Sequence, residues 1–354
     1  MIDPKYLKTS SIENSYTIPS EWYYTDEIFS LEKKTIFNKS WHLIGSKSKI
    51  PNPGDTIIYE VLNNPIIIVR QEDYSVKAFY NVCQHRGGPI VRENCSVKFL
   101  QCKYHGWIYE IDGSLKKVRD FSEVKNFDKG DYALKSIDVK IWMDMIFINF
   151  CKNTLFNLPF ENIKGHIYPL NISSYKYHSR VSYNIKSNWK TYVDNYLEGY
   201  HIPFVHPKLN KLIDYKSYQT ELFDNYSLQW SPLKSELSPY KKTKALSDKA
   251  FYFTIFPNLL LNIAPGRLQT NIVEPQSPKS CTVHFDYYFE DLNDKSIIDD
   301  FNFSEEVQQE DIQICQEVQK GLESNGFDKG RISKKSEKGL HHFQSILRKC
   351  FADG

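Results

Sequence analysis

Long apolar runs are missing from this 354-residue chain; the longest are short, such as Ile66-Ile67-Ile68-Val69 and Leu259-Leu260-Leu261. A helix needs about 20 apolar residues to cross a bilayer, so no membrane span is expected. A surplus of either charge is missing too. Lys and Arg total 45 against 43 Asp and Glu, a formal net charge of +2, too small to mark a nucleic-acid or membrane surface. Met1-Ile2-Asp3-Pro4-Lys5 lacks a charged-then-apolar leader. No G-x-G-x-x-G fingerprint occurs, so nicotinamide binding is expected on another chain. Disulfide spacing is absent as well. Two of the seven cysteines fall in a metal motif described below, and Cys95, Cys151, Cys281, Cys315 and Cys350 read as small buried apolar residues. A reducing cytoplasm is the expected compartment. Against these absences stand 24 Tyr and 22 Phe, consistent with strand-rich cores and apolar pockets.

Chemistry is concentrated in two places. The first is Cys83-Gln84-His85 and, after sixteen residues, Cys102-Lys103-Tyr104-His105. Each half offers one thiolate and one imidazole, the ligand set of a Rieske-type [2Fe–2S] cluster, where two histidines replace two of the usual four cysteines. Imidazole carries less negative charge than thiolate, so such a cluster is easier to reduce, at roughly −150 to +300 mV against about −400 mV for all-cysteine ferredoxins. Structural zinc also takes two Cys and two His. The first half, however, is C-x-H rather than C-x-x-C, and Gly87, Gly88 and Gly106 follow closely, as expected where backbone N–H groups approach bridging sulfides. Trp107 and Pro89 are expected to shield the cluster from water.

The second is the stretch from Asp194 to Pro207, with His201 and His206 five residues apart. Two histidines and one carboxylate leave three positions open on iron(II), as O₂ activation requires. Asp311 is the candidate carboxylate. It shares a helix face with Val307, Ile314 and Cys315, although Glu305, Glu306, Glu310 and Asp311 could equally form a solvated acidic first turn. Glu198 lies three residues before His201. It is either a surface glutamate or a carboxylate that fixes imidazole tautomers and links the iron region to an incoming Rieske histidine.

Periodicity places a helix near 24–38, short strands from Trp41 to about Phe150, and a change of texture from Tyr168. Ser187 is the expected N-cap of a helix through Asn188 to Tyr200, ended by Pro203 and Pro207. Strands are expected around 251–263 and 281–289, and a long helix near 304–322. The fold class is α+β: an all-β domain inserted in an α+β catalytic domain with a central antiparallel sheet and a C-terminal helix. The expected divisions are 1–40, an N-terminal helical segment on the catalytic domain; 41–152, the Rieske domain; and 153–354, the mononuclear-iron domain.

These motifs, with Trp41-His42-Leu43-Ile44-Gly45, Asn188-Trp189-Lys190 and Glu310-Asp311, make the chain similar to the α subunit of Rieske non-haem iron oxygenases, a family of ring-hydroxylating dioxygenases and related monooxygenases. The resemblance implies that Cys83 and Cys102 hold one iron of the [2Fe–2S] cluster and His85 and His105 the other. It implies a mononuclear Fe(II) on His201, His206 and Asp311, with Glu198 and Asn195 as candidate catalytic residues. It also implies O₂ and a small molecule as substrates, a separate NAD(P)H-dependent reductase with flavin or ferredoxin, and a homotrimer in which a carboxylate bridges neighbouring subunits. Ring dioxygenases commonly carry aspartate where this chain has Glu198. The Asn195-Tyr196-Leu197-Glu198-Gly199-Tyr200-His201 context looks more like the choline, carnitine and glycine-betaine monooxygenases. A quaternary ammonium substrate is therefore expected, with an aromatic ring as the alternative and a pure Rieske electron carrier as the rival from another class. Phe204, Tyr252, Phe253 and Phe256 are candidates to hold a cation. Asp144 departs from relatives, which often have glycine in that turn.

Overall fold

The structure, a computed structural model, describes residues 2–234 and 249–353. It comprises two compact units, residues 38–156 and residues 1–37 with 157–354. Unit 38–156 contains β1 (His42–Ser46), β2 (Asp55–Val61), β3 (Asn64–Arg70), β4 (Val76–Tyr80), β5 (Cys95–Ser96), β6 (Leu100–Gln101), β7 (Ile108–Tyr109), β8 (Leu115–Lys117), β9 (Ser136–Trp142) and β10 (Met145–Asn149). Seven of them form an antiparallel sheet in the order β1-β10-β9-β4-β3-β2-β5, and β6-β7-β8 form a second, three-stranded sheet.

The run Ile66–Val69 in β3 is apolar at every position because both faces are covered. Side chains alternate across a strand, so Ile66 and Ile68 join a core with Ile57, Ile146 and Ile148. Ile67 and Val69 join another, which also contains Cys83, Cys102 and Trp107. That second core anchors the loops bearing the first motif. The Asp144 turn is retained: Met143 takes the left-handed conformation at φ 56°, and the Asp144 carboxylate accepts hydrogen bonds from Ser46 and Ser48.

The other unit carries β11 (Lys176–Ile185), β12 (Gln219–Leu222), β13 (Tyr226–Pro232), β14 (Lys249–Ile255), β15 (Leu259–Ala264), β16 (Arg267–Ser277) and β17 (Ser280–Phe289). They form one antiparallel sheet in the order β11-β17-β16-β15-β14-β13-β12. The helix Trp189–Tyr196 packs on β16 and against the long helix Ile297–Leu322. The N-terminal helix Asp26–Thr35 is stapled to this unit by Glu32. Its buried carboxylate accepts from Trp189 Nε1 at 2.8 Å and pairs with buried Lys190.

Four local expectations differ from the structure. The N-cap is Asn188, whose side chain accepts from Lys190 N–H at 2.9 Å, and the helix stops at Tyr196. Pro203 and Pro207 do not end that helix; each sits in the first turn of a new short one, Ile202–Val205 and Pro207–Leu212, where the missing N–H is harmless. The long helix begins at Ile297, so its acidic residues from Glu305 to Asp311 lie beyond the first turn. The run 251–263 is two strands, β14 and β15, turned at Phe256-Pro257-Asn258. A final helix, Lys338–Ala352, was not anticipated; it buries Leu340, Phe343, Leu347 and Phe351 along one face. Among the described residues no helix is long and apolar enough to cross a membrane.

Candidate active site

The Cys83 and Cys102 loops have matching construction. Cys83 N–H donates to Gly88 O and Gly87 N–H returns to Cys83 O; Cys102 N–H donates to Trp107 O and Gly106 N–H returns to Cys102 O. Gly87 and Gly106 take φ of +73° and +72°, a left-handed conformation that other side chains rarely adopt. The loops are tied together by Lys103 N–H donating to Pro89 O at 3.2 Å. A Cβ on Gly88 would lie 3.2 Å from Cys102 Sγ and 2.9 Å from Tyr104 Cβ, so this cradle admits only glycine without displacement.

Both cysteines are buried and both histidines are half-buried. Tyr109 Oη lies 3.2 Å from Cys83 Sγ and accepts from Gln84 N–H, a contact that sequence reading missed. The His85 ring stacks on buried Trp107 at 4.8 Å and 10°, and lies 4.7 Å from the His105 ring. Burial, followed by the charges of His105 and Arg86, lowers the His85 pKa, which favours the neutral imidazole. Its Nδ1 is buried with no hydrogen-bond partner among the described residues. An orphaned imidazole nitrogen beside two buried thiols fits a metal ligand, since an unpaired buried polar atom is otherwise costly. Trp107 is buried against the His85 ring, whereas Pro89 is exposed and its carbonyl serves the inter-loop bond.

The second constellation converges closely. His201 Nε2 lies 3.2 Å from His206 Nε2, which lies 3.1 Å from Asp311 Oδ1; the His201 Nε2 to Asp311 Oδ1 distance is 3.9 Å. These three atoms form a set able to hold one metal ion. His201 and His206 are the N-caps of the two short proline-started helices, and Asp311 projects from the middle of the long one. Each imidazole is turned by a carboxylate on its far nitrogen. Glu198 Oε1 is 2.7 Å from His201 Nδ1, and Glu310 Oε2 is 2.7 Å from His206 Nδ1. With Nδ1–H donating, the Nε2 lone pairs face each other across the gap, as metal binding needs. Glu198 lies in a turn rather than on the expected helix face. Its other oxygen accepts from the backbone N–H groups of Tyr200 and His201, and the turn itself produces the contact.

Asn195 Nδ2 donates to Asp311 Oδ1 at 2.6 Å, fixing that carboxylate. Glu310 was passed over in the sequence, although it immediately precedes Asp311; one helical step of about 100° carries it to the far side of the His206 ring. The site opens on a cavity of about 110 Å³ walled by Tyr196, Tyr218, Tyr252, Phe285 and Phe303, with Asn262, Arg267, Gln269 and Asn271 on its floor. Of the four aromatics proposed from position, only Tyr252 lines it. Phe204 is 82% exposed, Phe253 is wholly buried on the opposite face of β14, and Phe256 packs near Phe343.

Residues 172–353 match the model of the ring-hydroxylating α subunit catalytic domain, and residues 40–128 match that of the Rieske [2Fe–2S] domain. The chain is 31% identical to the chloroplastic choline monooxygenase of Arabidopsis thaliana, an alignment covering 98% of this chain and 84% of that one. It is also 31% identical to the carnitine monooxygenase oxygenase subunit of Escherichia coli (strain K12), over 96% of this chain and 95% of that one. A crystal structure of a quaternary ammonium Rieske monooxygenase in complex with L-carnitine superposes with a TM-score of 0.85 at 26% identity, covering 99% of both chains.

Proposed function

The chain belongs to the ring-hydroxylating α-subunit family of Rieske oxygenases, and from that membership we propose that it hydroxylates a small quaternary ammonium compound. It is an oxidoreductase that incorporates oxygen from O₂ and works with a Rieske [2Fe–2S] cluster and a mononuclear iron. When bound, the cluster stores an electron and the iron puts O₂ to use as the oxidant. Cys83 and Cys102 would hold one iron of the cluster, His85 and His105 the other, and His201, His206 and Asp311 the mononuclear ion. Glu198 and Glu310 hold protons on the two Nδ1 atoms and so keep both Nε2 lone pairs inward. Asn195 holds Asp311 in place. Glu198 also takes the bridging role, receiving a cluster histidine of a neighbouring subunit in a homotrimer. The electrons come from a separate NAD(P)H-dependent reductase with flavin or ferredoxin, in the cytoplasm.

The observation that carries this reading is the convergence of His201, His206 and Asp311 in the wall of an aromatic cavity. The relatives named for choline and for carnitine supply the substrate class. Aromatic faces suit a trimethylammonium group, at about 0.5 to 2 kcal/mol per cation–π contact, and the Glu198 and Asp311 carboxylates add attraction. Oxygen uptake by purified protein with a reductase should be stimulated by choline, carnitine or betaine and not by simple aromatics. Stimulation by aromatics alone would overturn the substrate class. Reducible protein without substrate-dependent uptake would indicate a carrier.

A further inference from the structure

Strand β16 presents Arg267, Gln269 and Asn271 on one face, two residues apart, toward the cavity. Their side chains form a ladder with a fixed direction. Arg267 Nη1 pairs with the Asp300 carboxylate at 2.8 Å, and Arg267 Nη2 donates to Gln269 Oε1. Ser304 Oγ donates to the same oxygen at 3.2 Å. A guanidinium can only donate, so Gln269 must turn its carbonyl toward Arg267 and its NH₂ away. That NH₂ donates to Asn271 Oδ1 at 2.7 Å. Asn271 in turn has its carbonyl occupied and its NH₂ left over. Asn271 is only 2% exposed, and among the described residues its Nδ2 has no hydrogen-bond partner. The ladder therefore delivers an amide donor, of known polarity, to the cavity wall.

The charge of the ladder is closed. Arg267 faces buried Asp300 at the far end, and apart from the two histidines no other cationic side chain among the described residues lines the cavity. A carboxylate brought in from water would meet neutral amide N–H and a guanidinium already committed to another carboxylate. Burying an anion without a charge partner is far costlier than burying a neutral oxygen that accepts one hydrogen bond. Resting on the quaternary ammonium reading above, we propose that Asn271 is a specificity-determining residue whose Nδ2–H donates to a neutral oxygen acceptor of the substrate, so that the cavity selects a hydroxyl-bearing quaternary ammonium over a carboxylate-bearing one.

The test is binding and turnover by the iron-loaded holoenzyme with choline, ethyltrimethylammonium (choline without its oxygen) and glycine betaine (a carboxylate in place of choline's hydroxymethyl group). Wild-type protein should bind choline about tenfold more tightly than ethyltrimethylammonium, the worth of roughly one good hydrogen bond, and more tightly than glycine betaine. Asn271→Leu should erase the preference for choline over ethyltrimethylammonium, read as the ratio of the two affinities. Tighter binding of glycine betaine than of choline by wild type would overturn the neutral-oxygen assignment, with no dependence on how the variant folds. An equal loss for choline and ethyltrimethylammonium in Asn271→Leu would reduce Asn271 to a packing residue. Binding of none of the three, alongside turnover of an apolar aromatic, would instead sink the quaternary ammonium reading on which the assignment stands.

Discussion

Glu198 and Glu310 make the same kind of contact, a carboxylate on the Nδ1 of a ligating ring, yet they are expected to fail differently. Glu310 is committed to His206. Removing such an orienting group typically costs about 10- to 100-fold in metal affinity, so Glu310→Gln should release mononuclear iron at correspondingly lower chelator concentration while the visible spectrum of the cluster is unchanged. Glu198 has a proposed second task. Glu198→Ala should keep both metal centres by iron analysis but lose substrate-coupled turnover, and normal product formation in that variant would remove the bridging role. Asp194, between these groups and the core, is a different case. Burial pushes it up to about 7, even though Tyr23 donates to it at 2.5 Å and Gln344 at 3.2 Å. In the unfolded chain it titrates near an ordinary value of about 3.9. Between those two pKa values the folded protein holds a proton that the unfolded chain has lost, so stability falls as pH rises from about 4 to about 7, by up to about 4 kcal/mol. Asp194→Asn should flatten that decline in urea titrations and be more stable than wild type at pH 8; a slope identical to wild type would contradict it. The candidate ligands Cys83, His85, Cys102, His105, His201 and His206 were legible in the sequence because their spacing is chemical, whereas Asp311 was singled out by the resemblance. Glu310, Tyr109 and the Asn195 bond to Asp311 were not legible, because each depends on which element lies opposite.

Among the elements, a succession of short strands between Trp41 and Phe150 and the two central helices followed from the sequence pattern, whereas their ends did not. Pro203 and Pro207 show why: proline forbids a helix interior and suits a first turn equally well, so the residue alone cannot say on which side of it the helix lies. Those two starts place His201 and His206 at successive N-caps, a geometry that one continuous helix through Tyr200 would not give. The attachment of the helix Asp26–Thr35 was likewise invisible, since Glu32 and Lys190 are far apart in sequence. Glu32→Ala leaves the Lys190 ammonium buried without its partner, and such single deletions cost about 3 to 5 kcal/mol. A large fall in the urea midpoint is expected for Glu32→Ala, with much of it recovered when Lys190→Met is added. A midpoint unmoved by the single change would mean the pair is dispensable.

For the whole molecule, the family cofactors call for roughly three irons per chain, two in the cluster and one mononuclear. A mild chelator should remove about one third of the iron and all oxygen uptake while the reddish-brown absorbance persists; parallel loss of colour and activity would contradict two independent sites. The matched domains cover the two units separately, and the sequence anticipated that an all-β segment interrupts the catalytic chain, because motif-bearing strands lie between two helix-containing stretches. The arrangement of carboxylates has an electrical consequence. Glu198, Glu310 and Asp311 bring three formal negative charges to a point where a divalent ion held by two neutral imidazoles would bring only two positive ones. A centre loaded in this way would be left one electron charge in excess, an anionic well at the end of an aromatic passage that would draw small cations in and turn free anions away before any side chain touches them.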